Sequence, residues 1–191
     1  MLFQNGSLIV RMLKEQDKHL LANWLSTPEV LEYYEGRDNP FDLDKVVKVF
    51  YASEDDEVKC IVEYEGIAIG FIQYYELDED TKKKYGYETG RIFGTDQFIG
   101  EIDYWNKGIG TLLVSSMIEF LLNQMKADKI VMDPQVWNVR AIKCYEKCGF
   151  KKVKLLPDHE FHEGELRDCW LIEKNQISNG SGPSKIKTYD W

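Results

Sequence analysis

The run Gln97-Phe-Ile-Gly-Glu-Ile-Asp-Tyr-Trp-Asn-Lys-Gly-Ile-Gly-Thr111 constrains the fold of this chain more than any other. It reads as a β-strand, then a turn carrying Lys107, Gly108, Ile109, Gly110 and Thr111, then a long helix. Backbone amides at such a turn converge on one point, with the positive end of the helix dipole behind them. That arrangement suits an anion such as a pyrophosphate. Glycine matters because a Cβ obstructs a phosphate lying against the backbone. A glycine turn also serves simply to turn the chain, so the sequence around it must decide.

Upstream, Ser7–Leu13 reads as a strand, with Leu8, Val10 and Met12 alternating against Ile9 and Arg11. Asp17–Leu25 reads as a helix with Leu20, Leu21 and Trp24 on one apolar face and Asp17 as its N-cap. Trp24 is accordingly expected in the core. Val30–Glu35 and the turn-rich Gly36-Arg-Asp-Asn-Pro40 follow. Asp42 or Asp44 caps a helix whose apolar positions are Val46, Val47, Phe50 and Tyr51. Val58–Tyr64 and Ile67–Tyr75 form a hairpin over the tight Glu65-Gly66 turn. Glu76–Tyr87 is hydrophilic and is expected to be a flexible loop.

Arg91–Glu101 is the next strand, and Thr111–Met125 a helix through Leu112, Leu113, Ser116, Met117, Phe120 and Leu121. Lys129–Asp133 is a short strand ended by Pro134. Asn138 caps a helix over Val139–Lys147, closed by Gly149. Lys152–Leu156 and Asp168–Glu173 close the sheet. Residues 1–175 are read as a single domain. Beyond it, residues 176–191 are polar and linker-like, expected outside the core and flexible, with Tyr189 and Trp191 able to dock.

The chain has 191 residues with a net charge of −9, and it carries no apolar run of membrane-spanning length. A cytoplasmic protein is expected, with no membrane partner. The acidic balance disfavours nucleic acid, which requires clustered Lys and Arg, and is compatible with a cationic ligand. Cys60, Cys144, Cys148 and Cys169 form no CxxC pair and are read as reduced thiols. His159-Glu-Phe-His162 is not HExxH, so it is read as a surface loop and no metal is expected.

The order of strand, glycine turn, long helix, strand, Asn-capped helix with Tyr145, then closing strands resembles the GNAT superfamily of N-acetyltransferases. More narrowly, Asp96-Gln97-Phe-Ile-Gly-Glu101, Lys107-Gly-Ile-Gly-Thr111, Asp133-Pro134 and Asn138-x-Arg-Ala-Ile-x-Cys-Tyr-Glu-Lys-x-Gly-Phe150 are similar to the aminoglycoside 6′-N-acetyltransferases. The resemblance covers about Leu8 to Glu173. It implies an α/β (α+β) fold: a central mixed, mostly antiparallel twisted sheet flanked by helices, splayed to form a cleft for acetyl-CoA. It further implies acetylation of a polycationic aminoglycoside, hence antibiotic resistance, by direct transfer in a ternary complex. A related enzyme acting on another small amine, such as a lysine-derived siderophore precursor, stays open, as does a non-catalytic CoA-binding module. One position departs from the pattern. The wider family favours Arg or Gln three residues before the first glycine of the turn, where this chain has Trp105.

Residue roles follow from the resemblance and from the chemistry it requires. Attack on a thioester needs a neutral amine, and amines titrate around 8 to 10. Asp96 is the candidate to hold the ammonium and take its proton, set against a plain strand-edge carboxylate. Tyr145 is the candidate acid for the leaving thiolate, set against an aromatic that only fills space. Acetyl-CoA is expected along Phe98 and Ile99, the turn Asn106–Thr111, and Asn138 with Ala141. Asn138 serves as both cap and ligand contact, and Lys147 is either a phosphate contact or a solvated charge. Pantetheine amides would pair with strand backbone left open by a splayed neighbour. For the amino sugar, Tyr34, Gln73, Asp96, Asp133 and Asp168 are the candidate contacts, with Asp158 able to stand for Asp168.

Overall fold

The structure, a computed structural model, describes residues 1–53, 55–176 and 185–188. Two short strands, β1 (Phe3–Asn5) and β2 (Leu8–Met12), pair antiparallel and open the sheet. Three short helices follow: α1 (Lys18–Trp24), α2 (Pro28–Leu31) and α3 (Leu43–Val46). Of the two candidate caps for α3, Asp42 is the one used, accepting a hydrogen bond from the Lys45 amide at 2.8 Å. Asp17, expected as the α1 cap, instead turns its carboxylate onto Arg11 and the Lys14 amide. A bidentate guanidinium outcompetes a helix amide for a buried carboxylate.

β3 (Val58–Tyr64) and β4 (Ile67–Glu76) pair antiparallel as the hairpin expected. Positive φ angles of 51° at Glu65 and 80° at Gly66 match a two-residue turn whose twist suits the flanking strands. α4 (Glu79–Tyr85) then leads to β5 (Ile92–Ile99). The long α5 (Ile109–Asn123) precedes β6 (Lys129–Met132), α6 (Val139–Lys147), β7 (Lys151–His162), β8 (Glu165–Asn175) and β9 (Lys187–Thr188).

The strands form one sheet in the order β7-β8-β6-β5-β4-β3-β2-β1-β9. Every pairing is antiparallel except β5 with β6. The sheet is covered on both faces, so its central strands are apolar throughout. Cys60 and Val62 of β3 pack with α5 on one face, while Ile61 packs with Leu21, Trp24 and Phe50 on the other. The β5–β6 ladder covers only Ile92–Gly94. Past Gly94, β5 continues to Ile99 on β4 alone, and β6 ends just before Pro134, which has no amide to donate. A wedge opens between the two parallel strands.

Three expectations are corrected here. The segment expected as a flexible loop contains α4: Asp78 caps it, acidic Glu79 and Asp80 lie at its start, Lys82–Lys84 at its end, and Gly86 closes it at φ 89°. Those charges complement the helix dipole, and Tyr85 and Tyr87 pack onto a third core cluster around Leu77, Val131 and Leu171. The His159–His162 loop is instead the end of β7, whose hairpin with β8 is far longer than expected and turns over Glu163-Gly164. Finally, the tail does not lie wholly outside the core. Ile186 is 7% exposed within the main cluster, and β9 adds antiparallel to β1. Burying one isoleucine and pairing an otherwise open strand edge accounts for the return of the chain. Tyr189 and Trp191 lie outside the described residues.

Candidate functional site

Two clefts open on either side of one tyrosine. The first, about 450 Å³, lies in the wedge where β5 parts from β6, between the turn before α5 and the start of α6. Phe98, Ile99, Asn106, Gly108, Gly110, Thr111, Asn138, Ala141 and Lys147, all candidates for cofactor contact, line it. Gly108 sits at φ 80° as the N-cap of α5. A Cβ built there would meet nothing within 4 Å, and at Gly110 only the Cys144 sulfur at 3.8 Å. The protein leaves this space free, as a backbone cradle for a phosphate requires. Lys107 and Ile109 do not line the cleft: Lys107 reaches over the Tyr104 ring, and Ile109 is buried in the core. Only their backbone can face an anion.

Asn138 caps α6 through Oδ1, which accepts from the Ala141 amide at 3.2 Å. Its side chain borders both clefts, as do Gln97, Tyr145 and Tyr33. Gln97 Nε2 donates to Tyr145 Oη at 2.8 Å and so fixes where the phenol points. Burial pushes the Tyr145 hydroxyl well above its ordinary pKa, and it stays protonated across the physiological range.

The second cleft is larger, about 740 Å³, and carries the opposite charge. Among the described residues, Glu35, Asp38, Asp96, Asp133, Glu160 and Glu163 line it with no Lys or Arg, whereas the first holds Arg140, Lys143 and Lys147 with no carboxylate. Gln73 and Tyr34 also face the acidic cleft. Gln73, opposite Asp96 in the β4–β5 ladder, donates through Nε2 to its Oδ2 at 3.1 Å. Burial is the largest influence on Asp96, with repulsion from Asp133 added, and its pKa rises to about 6 despite the Gln73 bond.

Asp133 behaves the other way. Burial alone would raise it, but His159 and Tyr85 each bond its Oδ2 at 2.8 Å and hold its carboxyl below the usual range. Two neighbouring carboxylates are thus driven apart, one poised to take a proton near neutrality and one held ionised. Asp168, expected in this cleft, does not line it; its carboxylate accepts the Asp158 amide at 2.9 Å across a bulge of the β7–β8 hairpin. Glu160, Glu163, Glu35 and Asp38 supply acidity there instead.

Glu35 adopts φ 72°, rare for a residue with a Cβ. Glu163 holds the neighbouring loop from the far wall, taking both the Arg37 guanidinium and the Arg37 amide. Sequence reasoning missed His159, Glu160, Tyr85, Gln97 and Tyr33. Gln97 was within reach of it, since it stands one residue from Asp96 on the strand that carries the site.

Residues 14–157 match the family model described as an acetyltransferase (GNAT) domain. An aminoglycoside N(6′)-acetyltransferase type 1 from Klebsiella pneumoniae is 31% identical over 152 residues, 78% of this chain and 76% of that protein. A kanamycin resistance protein from Rhizobium radiobacter is 44% identical over 61 residues, 32% of this chain and 56% of its own. Among solved structures, the aminoglycoside acetyltransferase AAC(6′)-Ib with coenzyme A superposes with a TM-score of 0.71 at 25% identity, covering 89% of this chain and 95% of that one. The spermidine N-acetyltransferase of Vibrio cholerae, at 20% identity and a TM-score of 0.73, shares the fold, covering 90% of this chain and 97% of its own.

Proposed function

Since the chain belongs to the GNAT acetyltransferase family, we propose that it transfers the acetyl group of acetyl-CoA to the 6′-amine of an aminoglycoside. One observation carries the reading: a cationic cleft and an acidic cleft meet at Tyr145 and Gln97, with Asp96 on the acidic side. The open glycine turn and its flanking cations fit the phosphates of CoA. The splayed edge of β5 fits the amides of pantetheine. Of the six carboxylates Arg37 already holds Glu163, and the other five fit a polyamine in charge-assisted hydrogen bonds.

Asp96 accepts the proton that the attacking nitrogen must lose, and the new C–N bond forms as the C–S bond breaks. From an ammonium near pH 8 to a carboxylate at about 6, that transfer costs roughly 3 kcal/mol. To an ordinary carboxylate near 3.8 it would cost about twice as much, roughly 6 kcal/mol. The raised pKa of Asp96 therefore removes about half of that cost. Tyr145 gives its proton to the departing sulfur, oriented by Gln97. Asp133, held ionised by His159 and Tyr85, keeps a negative charge beside the amino sugar.

Direct transfer is favoured over an acyl-enzyme. Cys144 borders the cofactor cleft, but its contact there is the Thr111 hydroxyl at 3.4 Å, and no histidine or carboxylate among the described residues bonds it. The test is thiol release from acetyl-CoA with a kanamycin-type drug, a drug bearing a 6′-hydroxyl, and a hydroxylysine-like amine. Turnover with the first alone, and NMR placing the acetyl group on the 6′-nitrogen, supports the proposal. Preference for the simple amine, or acetylation mainly at another ring nitrogen, moves the chain to a different acceptor within the same family.

A further inference from the structure

Two rings, Tyr33 and Trp105, and the Arg140 guanidinium line the cofactor cleft, with the Trp137 ring behind them on the acidic side. Tyr33 packs edge-on to Trp105 with centroids 6.0 Å apart and lies tilted against Trp137 at 5.4 Å. The Arg140 guanidinium carbon stands 4.3 Å from the Tyr33 ring and 4.2 Å from the Trp105 ring. Arg140 makes no ion pair or hydrogen bond among the described residues. Its planar face is held by π-systems, which attract a cation without consuming its N–H donors. The same guanidinium lines the cofactor cleft. Five donors are then available in a fixed fork, the geometry that matches phosphate oxygens.

Trp105 stands three residues before Gly108, so the stack places this cation beside the glycine turn. The position that departs from the family pattern at Trp105 therefore holds a cation through its ring. We propose that Arg140, clamped by Trp105 and Tyr33, is the side-chain contact for the pyrophosphate of CoA, complementing the backbone amides of the turn. This rests on the cofactor reading above and adds a residue from α6 to it. Lys143 and Lys147 lie further along the same helix and carry no aromatic clamp among the described residues.

The test is calorimetric titration of the free protein with CoA, with 3′-dephospho-CoA and with pantetheine. Arg140→Ala is expected to weaken CoA and 3′-dephospho-CoA alike by about tenfold and to leave pantetheine unchanged. Trp105→Ala should lose several-fold in the same pattern, and should add no further loss in the Arg140→Ala background. Arg140→Gln keeps a planar end between the rings without the charge, so it gives the same answer if the alanine variant does not fold. Unchanged CoA affinity overturns the assignment. So does an equal loss for pantetheine, which would make Arg140 a prop for the cleft wall. A loss confined to CoA would move the contact to the 3′-phosphate and equally overturn it. A wild-type protein that binds none of the three ligands would instead remove the cofactor reading itself.

Discussion

The cofactor cleft takes most of its walls from residues 97–114 and 138–147, whereas the acceptor cleft gathers side chains from Tyr33 through to Glu163. The first is built on backbone: a positive φ at Gly108, a cap at Asn138, an unpaired strand edge. Those features are written in neighbouring residues, because each is a property of one turn or one helix end. The second is built on side chains carried by separate elements, and its electrostatics arise only when they meet. Asp96 and Asp133 are chemically identical carboxylates. One is raised by desolvation and the other lowered by two donors, from β7 and from α4. A local motif specifies a turn and a helix end, and tertiary assembly specifies how a carboxylate is tuned.

The largest expected effect breaks the acceptor side alone. Asp96→Asn keeps the Gln73 neighbour but has no carboxylate for the proton, so kcat should fall on the order of 10²-fold or more. Its affinity for CoA should stay within about twofold, since the two functions occupy different clefts. Wild-type turnover in this variant would take Asp96 out of the mechanism. Gly110→Val is the mirror experiment. The protein itself offers room for the first carbon, so the variant should fold, while CoA affinity drops about tenfold or more through crowding of the phosphate. A folded Gly110→Val protein with unchanged CoA affinity would reduce the glycine turn to a turn.

The pH response sharpens the contrast. With Asp96 at about 6, kcat/KM for the drug should gain an added tenfold loss per pH unit below about pH 6, absent in Asp96→Asn. CoA affinity should have no such limb. Stability carries the opposite sign. The folded-state pKa is raised, so the fold prefers the protonated acid, and stability is lost as pH rises from about 4 through 6. Asp96→Asn should therefore melt above the wild type at pH 8, with the gap closing toward pH 4. A lower melting temperature at both values would contradict the desolvation argument. The smallest effect is ionic. Raising salt should increase KM for a drug with several ammonium groups a few-fold more than for a mono-amine. Equal responses would show that the carboxylates do not meet multiple charges.

The sequence marked Asn138 as the α6 cap and named nine of the residues that line the first cleft, but not the place where β5 parts from β6. It obscured the acceptor side for two physical reasons. α4 has no apolar periodicity, so it read as a loop, although Asp78, the charge order Glu79-Asp80 to Lys82–Lys84, and Gly86 together mark a helix. Without α4 there was no Tyr85 for Asp133. The β7–β8 hairpin was cut short because Pro157 and Asp158 interrupt its pattern; they sit in a bulge, and pairing resumes at Glu160. That truncation removed His159 and Glu160 from view and left Asp168 as the apparent member of the cleft. Yet Glu163-Gly164 repeats the dipeptide that marked the first hairpin, with φ 50° and 80°. The turn signal was there to read.

The parting of β5 from β6 at Gly94 has a consequence for how long the protein survives. Strand edge that lacks a partner is where local opening and proteolysis begin. A co-substrate seated in that wedge binds the folded chain and not the unfolded one. At a hundredfold excess over its Kd it would add about 2.7 kcal/mol to the free energy of unfolding. The melting temperature of the protein should then climb with the concentration of its acyl donor, and a proteolysis series with and without CoA reads the same gain as slower cleavage.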